Sequence, residues 1–126
     1  MNKDYQLGLL CLTHLLVSAD GVVDKVEVDA LEIIRIKEKI SEPVYREFQQ
    51  LISAKKEREI YQLGIDLINR CADSEKLRVF VMLYKLSEVD GRVHVKEIRL
   101  LLFSIKLTGI EFNDVVNHAM AAPSLI

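Results

Sequence analysis

A chain of 126 residues, half of them apolar, is long enough to bury one core and too short for two, so residues 1–126 read as a single domain. Its 17 basic and 19 acidic side chains leave a formal net charge of -2, and no long-range field draws it toward nucleic acid or anionic lipid. No apolar run reaches the roughly 18 residues of a membrane span, which excludes direct insertion.

Five glycines, two prolines and no alternating β-branched runs, set against long stretches with apolar residues three and four apart, predict an all-α fold of about seven helices. The first, about 4–19, is apolar on most sides through Leu7, Leu10, Leu15 and Leu16, and such a helix belongs in the centre. Its "LGLLCLTHLLVSA" also resembles the apolar part of a signal peptide, but Asp4 and His14 spoil that pattern and the mature chain is expected to keep it. A second helix, about 25–39, turns Val28, Leu31, Ile34 and Ile36 inward, and Asp29, Arg35, Lys37 and Lys39 toward water. Ser41 then caps a third, with Pro43 in the first turn and Val44, Phe48, Leu51 and Ile52 as its buried stripe.

Lys55-Lys56-Glu57-Arg58 reads as a solvated start to a fourth helix, about 56–72, that buries Ile60, Leu63, Leu67, Ile68 and Cys71, with Gly64 marking a close neighbour. The fifth, about 74–89, carries "LRVFVMLYKL" as a second central helix; a sixth, about 95–108, stops at Gly109 in the left-handed region before a seventh, about 111–120. Cys11 and Cys71 are expected as buried free thiols, which suits a reducing, cytoplasmic compartment. Cys11 and His14 could share a zinc ion, but no second ligand pair has the spacing.

One motif is written twice. "ADGVVDKVE" at 19–27 returns as "VDGRVHVKE" at 89–97, each with Asp-Gly, an aliphatic residue and a Glu at fixed distances. A standard EF-hand loop is excluded, because its first ligand would be Leu16 or Leu86. As a helix corner, Asp24 is an N-cap with Glu27 at the third helical position, and His94 and Glu97 repeat the frame. Capping leaves Asp20 and Asp90 unexplained, since the end of a helix disfavours an anion by roughly 0.3 to 1 kcal/mol. If the two corners meet about a pseudo-twofold axis, Asp20, Glu27, Asp90 and Glu97 converge with Asp24, His94 and Glu88 nearby, and a divalent cation relieves the repulsion.

The repeated Asp-Gly-x-aliphatic-x-x-x-Glu, the spacing of its copies and the closing "LTGIEFNDVV" resemble the tellurite-resistance TerB-like family, and the related N-terminal domain of membrane-anchored J-proteins, over about residues 4–119. The resemblance implies an all-helical domain with internal pseudo-symmetry, found in bacterial stress systems, whose corner acids bind a divalent metal; Asp20, Glu27, Asp90 and Glu97 match the motif. Val89 and His94 depart from it, standing where family members often have a small residue and a polar cap. A chaperone-recruiting role is not expected, as no J-domain follows.

Three function classes follow. The leading one is a cytoplasmic metal-binding interaction module that docks on protein partners, among them membrane-associated stress proteins. The second is an adaptor whose corner acids only cap helices. A hydrolase is set aside, since no nucleophile, phosphate cradle or triad spacing accompanies the carboxylates, and His14 and His118 read as packing or surface residues. Oxygen ligands suit Ca²⁺, Mg²⁺ or Mn²⁺, and His94 would admit Zn²⁺. Tellurite, an oxyanion, would be repelled by these corners.

Overall fold

The computed structural model describes residues 3–17, 25–89 and 103–121, with the backbone alone at residues 17, 25–28 and 87–89. Its helices are α1 (Lys3–Val17), α2 (Lys25–Lys37), α3 (Glu42–Ala54), α4 (Glu57–Asn69), α5 (Asp73–Val89), α6 (residues 103–108) and α7 (Phe112–Ala121). No strand occurs among the described residues, and no helix among them is long and apolar enough to cross a membrane.

Helix α1 occupies the centre, packing on α2, α3, α4 and α5. Tyr5, Leu9, Leu10, Cys11 and Thr13 are wholly buried around its circumference, as an all-round apolar sequence requires. Its closest partner is α4. A methyl group added to Gly8 would stand 2.7 Å from Ile68 Cδ1, and one added to Gly64 would stand 3.3 Å from Cys11 Cβ. Residue 8 therefore lies beside 68 and residue 64 beside 11, so the two helices run antiparallel with a glycine on each side of the seam.

The repeat in the sequence is also a repeat in the structure, at the same interval of seventy positions. Leu9 and Val79, Leu10 and Phe80, Leu12 and Met82, and Leu16 and Leu86 are buried in register on α1 and α5. Helix α2 ends in a left-handed residue, Lys39 (φ 51°), and α6 in Gly109 (φ 77°). Both ends form the same double hydrogen bond: Ile40 N–H to Arg35 O (3.0 Å) with Lys39 N–H to Ile36 O (3.2 Å), and Ile110 N–H to Ile105 O with Gly109 N–H to Lys106 O (both 3.3 Å). Glu42 and Phe112 then open α3 and α7 at equivalent positions.

Three local expectations are corrected. Ile36 is 69% exposed, because the inward row on α2 runs through Leu31, Ile34 and Glu38, and position 36 projects from the opposite side. Ser41 holds the N-cap place of α3, but its side chain makes no capping bond there, and its carbonyl instead accepts the Tyr45 N–H at 3.0 Å. Helix α4 stops at Asn69, so Cys71 is buried from the turn beyond it.

Candidate functional site

Asp20, Asp24, Asp90, His94 and Glu97 lie outside the described residues. Glu27 falls in the first described turn of α2 and Glu88 in the last described turn of α5, where the backbone alone is given. Among the described residues no three His, Cys, Asp or Glu side chains form a group that could hold a metal ion. Cys11 and His14 share α1, but burial pushes the Cys11 thiol up to about 12, and the His14 ring meets the Phe48 ring edge-on at 6.1 Å. His118 is exposed, with Nδ1 2.8 Å from the Asp114 carbonyl oxygen of its own helix.

The most developed polar cluster among the described residues is one the sequence reading missed. Glu38 follows the last residue of α2, with its side chain 1% exposed. Its carboxylate accepts the Tyr5 hydroxyl of α1 and a two-pronged guanidinium from Arg78 of α5, with Nε to Oε1 and Nη2 to Oε2 both at 2.7 Å. Glu38 N–H still bonds the Ile34 carbonyl at 3.0 Å, so the residue continues the buried row of α2 before the chain turns at Lys39. A signal was present, since Glu38 continues the Leu31 and Ile34 stripe by helical spacing, but flanking lysines in "IKEKI" make it read as solvated.

Burial alone would raise the Glu38 pKa, but the hydrogen bonds from Arg78 and Tyr5 and the guanidinium charge outweigh it and hold the carboxyl below its ordinary range. Burial first, and the Glu38 carboxylate second, push the Tyr5 phenol above its usual range; the same carboxylate raises Arg78. Near neutrality the group is therefore one anion, one cation and one neutral phenol. None is poised to exchange a proton, so the cluster is a clamp and not an acid–base pair.

The clamp joins three helices. It gathers the start of α1, the end of α2 and the early part of α5 at one end of the bundle. Asp4 acts electrostatically on Cys71, which puts the α4–α5 turn at this end too. Helix α4 runs antiparallel to α1, and a turn of three residues leads from it to α5, which also packs on α1. At the far side, the Tyr61 hydroxyl and Ser104 Oγ share a hydrogen bond of 3.0 Å that ties α4 to α6.

Comparison with protein-family models, with curated proteins and with solved structures finds no match to this chain.

Proposed function

We propose that this chain is a TerB-like module of a bacterial stress or tellurite-resistance system, which binds a divalent cation through its repeated Asp-Gly…Glu corners and acts in the cytoplasm by engaging protein partners. The observation that carries this reading is the shared register. The motif recurs at the interval by which the burial pattern and the helix ends recur, so Asp20 and Asp90, and Glu27 and Glu97, are equivalent positions of two like units. The meeting of α1 and α5 at Glu38, through Tyr5 and Arg78, supports it as well, because these two helices are the equivalent helices of the two units.

A second reading, the adaptor whose acids only cap, is favoured by two helix starts. Glu59 accepts the Lys56 N–H at 3.4 Å and Glu75 accepts the Ala72 N–H at 3.1 Å, each from the third helical position. Glu27 and Glu97 could do the same with Asp24 and His94. Thermal unfolding of the chelator-treated protein, repeated with Ca²⁺, Mg²⁺, Mn²⁺ and Zn²⁺, separates the two readings. An ion at a hundredfold its dissociation constant adds about 2.7 kcal/mol if it binds only the folded chain. Stabilisation of the parent that disappears in the Asp20→Asn, Asp90→Asn double variant supports the metal site. Indifference to every ion, with the variant as stable as the parent, supports capping alone.

A further inference from the structure

The repeat supplies its own control for the surface. On the first unit, the exposed positions Lys37, Glu42, Arg46 and Gln50 are polar, with Arg46 Nη2 3.3 Å from Glu42 Oε1. Their equivalents seventy positions later are Leu107, Phe112, Val116 and Met120. Leu107 is 46%, Phe112 39% and Met120 81% exposed, and Val116 is half-buried. Phe112, Val116 and Met120 form one row along α7 at helical spacing. At these four positions the same backbone frame thus presents polar side chains on one unit and apolar ones on the other, while the exposed Ile36 of the first unit has Lys106 as its counterpart.

From this difference we infer that the α6–α7 face is where a second copy of the chain docks, forming a weak symmetric dimer. The area fits that occupant. Leu107, Phe112 and Met120, at roughly 200 Å² each when fully exposed, leave about 330 Å² of apolar surface. Two such faces together, at an apolar share of about 65%, correspond to an interface of about 1,000 Å², the size at which a weak specific complex begins to hold. The flanking charges are of both signs, with Lys106 on α6 and Glu111 and Asp114 at the start of α7, all exposed. A twofold axis can set the lysine of one copy against the acids of the other, where a face of single sign would repel itself.

Sedimentation equilibrium of the parent from about 1 μM to about 1 mM tests the inference, because that span covers the range expected of a weak complex. The expected result is a mass that rises toward twice the monomer. The Leu107→Lys, Phe112→Glu, Met120→Gln variant carries the residues of the first unit and should weaken association by at least tenfold, roughly 1.4 kcal/mol, with its helical circular dichroism retained. Phe112 leans on Tyr84 at 6.2 Å between ring centroids, so the highly exposed Met120→Gln change alone serves as the milder variant and should weaken association severalfold. A parent that stays monomeric across the range overturns the inference and leaves the face to a different protein. Undiminished association in folded variants overturns it too, by placing the contact elsewhere.

Discussion

Replacing Arg78 with Met keeps an unbranched stem of useful length and removes the fork that holds Glu38. The parent has two charge-assisted hydrogen bonds at 2.7 Å to a carboxylate whose side chain is 1% exposed. Removing one partner of a fully buried ion pair costs about 3 to 5 kcal/mol. The Arg78 side chain is 51% exposed, so part of its interaction is already shared with water, and the expected loss at neutral pH falls to about 2 to 3 kcal/mol. For a domain of this length that lowers the melting midpoint by about 6 to 12 °C.

The pH dependence carries a sign. Glu38 in the parent has a depressed pKa, so its contribution is present above the unfolded carboxylate value and is lost as pH falls through the folded one. Without Arg78, burial dominates and the carboxyl rises; the variant then bears a cost at neutral pH that acid relieves. Urea unfolding of parent and variant at pH 7 and pH 4 should show the gap narrowing at the lower pH. A loss below about 0.5 kcal/mol at pH 7, or a gap that does not change with pH, would refute the account of the clamp.

At the α1–α4 seam, Gly8→Ala should be the more damaging of the two glycine changes. Its methyl meets Ile68 at 2.7 Å and 3.0 Å and Leu67 Cβ at 3.2 Å inside the core, and overpacking of about 1 to 3 kcal/mol exceeds the roughly 1 kcal/mol gained in helix propensity. Gly64→Ala meets nothing nearer than 3.2 Å and should lie close to neutral; equal effects in chemical denaturation would contradict the seam geometry. Lys39→Gly should raise stability by about 1 kcal/mol, because the side chain is held at φ 51° where its counterpart in the second unit is already glycine. A melting midpoint that falls instead would mean that the Lys39 side chain makes a contact worth more than the strain.

Much of this fold was legible because its strongest signals are local. The all-round apolar pattern placed α1 at the centre, Gly64 announced a close neighbour, and Gly109 marked the left-handed stop. The seventy-residue interval was visible as a motif before it could be recognised as a unit of architecture. Glu38 was not legible, since what decides its fate is two residues far away in sequence, Tyr5 and Arg78, that replace the water a lone carboxylate needs. Ile36 failed for a related reason: the buried row passes through a charged residue, so counting only apolar side chains picks the wrong neighbour. The corner acids were legible as a pattern, but convergence is a property of two chain segments taken together, and periodicity within either one cannot report it.

The glycine seam between α1 and α4 also bears on how the chain acquires its structure during synthesis. Fifty-five residues lie between Gly8 and Gly64. At about 5 to 20 residues per second, α1 leaves the ribosome several seconds before its tightest partner exists. During that interval a helix built to be buried on every side has only α2 and α3 to shield it. The nascent chain should therefore depend on chaperone cover until α4 emerges, and changes that delay the docking of α4 should reduce the yield of folded protein more than its final stability.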